Sequence, residues 1–105
     1  MAKPGWTFLT NHAQVFLCTA DNNHLTAREI AEMVGITERA VQRILSDLEE
    51  DGYIQRIRVG RSNRYQIHLD RPLRHPAQHG QQVSDLLMLL LKNTAQEQKN
   101  TTPTV

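Results

Sequence analysis

Residues 25–54 read LTAREIAEMVGITERAVQRILSDLEEDGYI, and two helices with a tight corner between them can be traced through that stretch from residue types alone. Thr26-Ala27-Arg28-Glu29 has the form of a capping box, in which the Thr26 hydroxyl accepts from the amide three residues on and Glu29 reaches back to the amide of Thr26. Ala27, Ile30, Ala31 and Val34 then make a buried stripe, with Met33 at its margin. Gly35 stands just past the last turn, where a left-handed residue closes a helix at no steric cost. Ile36 is the apolar plug of the corner, and Thr37 caps the second helix. Val41, Ile44, Leu45 and Leu48 fall at i, i+3, i+4 and i+7, a single apolar face, with Ala40 as a small contact beside it. Gly52 is the expected stop. Two helices joined by three or four residues around a glycine make a helix-turn-helix whose second helix turns its polar face outward.

Beyond Gly52 the period changes from 3.6 to 2. Tyr53, Ile54, Ile57 and Val59 are interspersed with Gln55, Arg56 and Arg58, as suits a half-buried strand, and Arg64-Tyr65-Gln66-Ile67-His68-Leu69 alternates. Gly60-Arg61-Ser62-Asn63 lies between them as a turn, so the segment reads as a β-hairpin with a basic tip. Upstream, a helix is expected from Asn11, as N-cap, to Ala20, with Val15, Phe16 and Thr19 inward beside Leu17 and Cys18. Asp21-Asn22-Asn23 ends it, and Leu25 is expected to pair with the hairpin as a short extended residue. The folded unit is therefore 6–69. Residues 70–80 carry Pro72 and Pro76 and read as an extended connector. Residues 81–94 form a further helix with Val83, Leu86, Leu87, Leu90 and Leu91 on a wide apolar face, widened by Met88 and Leu89. The tail 95–105 is polar and expected to be disordered. The fold class is mainly α with a small β-hairpin.

Size and composition set limits on function. With 105 residues there is room for one core and a short appendage. No run approaches the roughly 18 apolar residues of a membrane span, and MAKPGWTFLT lacks the apolar region of a secretory leader. One cysteine, Cys18, permits no internal disulfide and fits a reducing cytoplasm; its apolar neighbours suggest an inert core thiol. The net charge of +1 conceals an asymmetry. Residues 26–52 hold Arg28, Arg39 and Arg43 against Glu29, Glu32, Glu38, Asp47, Glu49, Glu50 and Asp51, whereas 53–68 hold Arg56, Arg58, Arg61 and Arg64 and no acid. Charge segregated in this way suits a surface that meets a polyanion, although a basic hairpin can also serve solubility alone.

The run LTAREIAEMVGITERAVQRILSDLEEDGYIQRIRVGRSNRYQIH resembles the winged helix-turn-helix domain of MarR- and ArsR-like prokaryotic transcriptional regulators, in a minimal single-wing form. The shared pattern, AxxVGIT followed by VQRxLxxLEEDGYI and an Arg-rich hairpin, covers about residues 25–69. The resemblance implies a DNA-binding regulator, with double-stranded DNA as partner, no cofactor and a homodimer built on the flanking helices. It gives no ligand pocket and leaves any small-molecule effector unknown.

On that footing the second helix enters the major groove with Thr37, Glu38, Arg39, Gln42, Arg43 and Ser46 on its polar face. Arg39 or Arg43 suits guanine and Gln42 adenine, while Thr37 at the helix N-terminus suits phosphate. Glu38 either accepts from cytosine or supports the helix start. The hairpin brings Arg56, Arg58, Arg61, Ser62, Asn63 and Arg64 to the minor groove or the phosphates. Dimer contacts are expected through Val83, Leu86, Leu87, Leu90 and Leu91, with packing of this helix within its own chain as the alternative. Two other classes compete. A metal-responsive sensor would use His68, Asp70, His75 and His79, but Pro76 interrupts the spacing and no cysteine joins them; no metal site is assigned. A protein-interaction module without DNA binding would have little use for four wing arginines. An enzyme lacks support, because no nucleophile–base set or phosphate loop is present.

Overall fold

Thr10, rather than Asn11, opens the first helix. In the computed structural model, which describes residues 5–91, the Thr10 hydroxyl accepts from the amide of Ala13, and α1 runs Asn11–Asp21. The cap moves by one residue because threonine at this position is extended and can reach the third amide, which is what a cap requires. Helix α2 (Ala27–Val34) begins on the capping box of Thr26 and Glu29 and ends at Gly35, whose φ of 86° is left-handed. Helix α3 (Glu38–Glu50) is capped by Thr37, whose hydroxyl accepts from the Ala40 amide at 3.0 Å.

Strands β1 (Ile54–Val59) and β2 (Ser62–Ile67) pair antiparallel with Val59 opposite Ser62, leaving only Gly60 and Arg61 in the turn. Gly60 has φ of 63° and Arg61 is not left-handed, the pattern of a type II′ turn, for which glycine is needed at the first central position. Ser62 and Asn63 therefore belong to the strand and not to the loop. Leu25 does not pair with the hairpin: the sheet of the described residues has two strands, and the Leu25 amide donates to the Asn22 carbonyl in a turn.

The chain divides into two compact units between Ile67 and His68. In the first, Val15 and Phe16 of α1, Ile30 of α2, Val41, Ile44, Leu45 and Leu48 of α3, and Tyr53, Ile54 and Tyr65 are buried together. Each fully buried branched side chain such as Ile30 or Leu45 contributes about 1.5–3 kcal/mol. Phe16 meets Tyr53 edge-on at 6.3 Å. Thr19, the buried polar residue of this core, donates from its hydroxyl to the Phe16 carbonyl at 2.7 Å and so carries no unsatisfied group inward. Met33, which the helical pattern placed at the margin of the core, is exposed.

In the second unit the extended connector is broken by a single 3-10 turn, Pro76–Gln78, with His75 accepting at Nδ1 from the Ala77 amide. Proline at the first position of that turn needs no amide hydrogen, so it starts a short turn as readily as it prevents a longer helix. Pro72 bridges to Gln82, and α4 runs Val83–Leu90. The expected extension of this helix to residue 94 and the expected disorder of 95–105 lie largely outside the described residues.

Candidate nucleic-acid interface

Successive residues of a helix turn by about 100°, so burial of Val41, Ile44, Leu45 and Leu48 fixes where every other side chain of α3 points. Arg39, Arg43, Ser46 and Glu50 fall opposite the core and are exposed. Glu38, Gln42 and Glu49 fall on the flank nearer the hairpin, and Ala40 and Asp47 on the flank nearer α1. All six residues expected on the reading face, Thr37 to Ser46, are thus accessible, but only Glu38 and Gln42 lie on the hairpin flank.

The hairpin flank forms an open groove of about 280 Å³, to which Thr26, Arg28, Glu38, Gln42, Arg61 and Asn63 contribute. Gln42 and the tip of the hairpin therefore border the same space. Tyr65, at the base of that groove, is buried, and burial pushes its phenol upward while Arg56 opposes the shift, so the ring presents a neutral hydroxyl. Arg61 and Arg64 make no ion pair with any described residue. Arg58 turns its Nε back to the Gly60 carbonyl at 3.0 Å, which braces the turn while leaving the side chain exposed.

Arg56 departs from the expectation. Its Nη2 lies 2.9 Å and its Nε 3.0 Å from Oε1 of Glu49, its own amide donates to Oε2 at 3.1 Å, and Nη2 also reaches the Ser46 hydroxyl. Strand alternation places Arg56 on the same face as Ile54 and Tyr65, the inward face, rather than toward the tip. Glu49 thereby covers an edge amide of β1, and Arg56 and Ser46 are engaged within the fold. The Glu49 carboxyl is held below its ordinary range, chiefly by the Arg56 amide and further by the guanidinium, against the opposing effect of burial. Ile57 and Val59, apolar though they are, lie on the outer face of the hairpin and are 41% and 45% exposed. The register, which alternation alone leaves undetermined by one residue, decides this.

On the other flank, Nε2 of His12 lies 2.8 Å from Oδ2 of Asp47, linking α1 to α3. Neither this link nor the Glu49–Arg56 link was visible in the pattern, since each joins residues on different elements. In α4, Val83 and Leu87 are buried, whereas Met88, Leu89 and Leu90 are exposed. Of the residues expected to meet a partner, Leu90 is open, Leu86 and Leu91 are half-buried, and Val83 and Leu87 are already covered. Among the described residues no three His, Cys, Asp or Glu side chains are grouped to hold a metal ion. Cys18 is half-buried, and burial with the nearby Asp21 charge pushes its thiol up, away from reactivity. No described helix is long and apolar enough to cross a membrane.

Residues 16–55 match the family model described as winged helix-turn-helix DNA-binding. The match takes in α2, α3 and most of α1, and ends at the second residue of β1. An uncharacterized protein of Methanocaldococcus jannaschii is 33% identical over 60 residues, which make up 56% of this chain and 13% of that protein's length. Element order, hairpin and family match agree on the fold: three helices followed by a two-stranded wing, a winged helix-turn-helix fold, with a further helix after it.

Proposed function

We propose that this protein is a sequence-specific regulator of transcription of the minimal MarR- or ArsR-like type, acting on double-stranded DNA in the cytoplasm. Helix α3 lies in the major groove, where Gln42 and Arg43 meet base edges, and the wing lies on the minor groove or the phosphates. The observation that carries this reading is that Gln42 of α3 and the Arg61 turn of the wing line one open groove, so a single duplex can meet both. Base contacts select sequence and the wing arginines supply affinity, with each good bidentate pair worth about 1–3 kcal/mol of discrimination.

The contacts are assigned to Thr37, Glu38, Arg39, Gln42 and Arg43 on α3 and to Arg58, Arg61, Ser62, Asn63 and Arg64 on the wing. Arg56 and Ser46 serve instead to hold the wing to α3, as their mutual bond and the Glu49 carboxylate support. A homodimer is assigned to the exposed Met88, Leu89 and Leu90, and a two-fold pair of α3 helices meets a pseudo-palindrome whose half-sites lie about 34–36 Å apart. Selection of bound fragments from a random duplex pool tests the whole reading. Recovery of a motif with two half-sites at that spacing is expected, and recovery of no enriched sequence would overturn sequence-specific binding.

A further inference from the structure

Only one flank of α3 faces the wing. On the other, Asn11 and His12 of α1 join Thr37, Arg39, Ala40 and Arg43 of α3 around an open groove of about 680 Å³. Arg39 and Arg43 stand one helical turn apart there, and neither is ion-paired with any described residue. The acid on that flank, Asp47, is bonded to His12 at the groove's edge. Two guanidinium groups thus border a cavity with no counter-ion of their own among the described residues.

We propose that this groove seats a phosphate group and that the DNA backbone is its source. The inference rests on the DNA-binding reading and adds to it that α1, which lies outside the helix-turn-helix, is part of the interface. A helix about 10–12 Å across nearly fills a major groove about 12 Å wide, so a phosphate strand runs along each of its flanks. The wing provides for one strand. The α1–α3 groove lies on the flank of the other, where Arg39 and its neighbour Asn11 meet a backbone oxygen, with His12 held at the edge by Asp47. Arg39 is then a phosphate holder and Gln42 and Arg43 remain the readers, which removes one candidate from base recognition. Contacts to both strands fix the register of α3 in the groove, which the wing alone leaves free to rock.

The experiment uses Asn11→Asp and Arg39→Gln in the full chain, with a selected duplex and a scrambled one, by fluorescence anisotropy from about 50 to about 200 mM salt. An acid in the first turn of a helix is compatible with its dipole, so Asn11→Asp keeps the melting temperature while setting a negative charge in the groove. It should weaken both duplexes by the same factor, about two- to fivefold at low salt. Arg39→Gln should also weaken both alike and reduce the salt slope by about 0.9, the amount for one phosphate. A parallel arm adds inorganic pyrophosphate without DNA at constant ionic strength and tracks the amide signals of Asn11, His12 and Arg39. A saturable shift that Arg39→Gln abolishes supports the seat and shows that a free phosphoryl ligand can also fill it. Parent affinity and slope in both variants, while Arg61→Ala still loses slope, would overturn the seat and leave the DNA reading standing. So would loss confined to the selected duplex at unchanged slope, which would make Arg39 a base reader. If the parent binds no duplex, the DNA reading fails, and absence of a pyrophosphate shift then removes the seat as well.

Discussion

Replacing Glu49 by alanine separates two roles for Arg56, a strut between the hairpin and α3 and a contact to DNA phosphate. The Glu49 carboxylate accepts from the Arg56 amide, Nε and Nη2, all within 3.1 Å. Hydrogen bonds to charged groups contribute about 1.5–3 kcal/mol in protected settings, and fully exposed pairs about 0–1 kcal/mol. With side chains 25% and 37% exposed, this pair lies between, and its loss should cost about 1–2 kcal/mol. For a domain of this size that lowers the melting temperature by about 5–10 °C. At the same time Arg56 loses its partner and becomes available to a phosphate, so the dependence of log Kobs on log salt should steepen by up to about 0.9. The combination is diagnostic: a less stable protein whose DNA binding is more sensitive to salt. Thermal denaturation by circular dichroism and anisotropy titrations across a salt series measure the two effects. An unchanged melting temperature would reduce the pair to surface decoration. A salt slope unchanged in Glu49→Ala but shallower in Arg56→Gln would mean that Arg56 already touches DNA in the parent, and its role as a strut would be refuted.

Other individual groups give further tests. Glu49 has a folded-state pKa below its unfolded value, so its contribution to stability is complete above about pH 4.5 and is lost as pH falls through the lower folded value. The difference in melting temperature between the parent and Glu49→Gln should therefore shrink on acidification below pH 4.5, and a difference that grows there would refute the assignment. Gln42→Ala or Arg43→Ala should compress the affinity gap between selected and scrambled duplexes by about 1–3 kcal/mol, whereas Arg61→Ala should weaken both alike and lower the salt slope by about one. Leu89→Glu with Leu90→Glu should yield monomers by sedimentation without loss of fold, because both side chains are exposed; a surviving dimer would move the interface elsewhere. Leu45→Ala, in a side chain 1% exposed, should cost about 2–5 kcal/mol in urea denaturation.

What the sequence made legible was local. The capping box at Thr26, the left-handed Gly35, the Thr37 cap and the stripe from Val41 to Leu48 each depend on residues within one turn or one helix, and each is present. Where contacts span elements, residue pattern was silent. Strand alternation could not say whether Arg56 or Ile57 faced inward, because a shift of one residue exchanges the faces; the pairing of Arg56 with Tyr65 and the waiting Glu49 decide it. The same limit hid the His12–Asp47 link across 35 residues, and with it the part α1 plays beside α3. Leu25 failed for a related reason: an isolated extended residue signals nothing about a strand partner, and a turn around Asn22 took its amide.

The acidic count of residues 26–52 also changes meaning once partners are known. In sequence, seven acids against three arginines make the helix-turn-helix look repulsive to DNA and leave affinity to the wing. In the fold, Glu29 closes the cap of α2, Glu32 lies 3.9 Å from Arg28, Asp47 is bonded to His12 and Glu49 to Arg56. Glu29, Asp47 and Glu49 act as acceptors within the fold, and Glu32 pairs loosely with Arg28 along the exposed face of α2, so the field of each is partly offset by the group beside it. Arg39 and Arg43, by contrast, make no ion pair with any described residue. Screening confines exposed charges to about 8–10 Å, so a phosphate near α3 responds to the nearest groups rather than to the sum over the segment. The outward face of α3 is therefore less repulsive to a polyanion than its composition suggests. The same network engages one of the four hairpin arginines, Arg56, with Glu49 and Ser46 of α3.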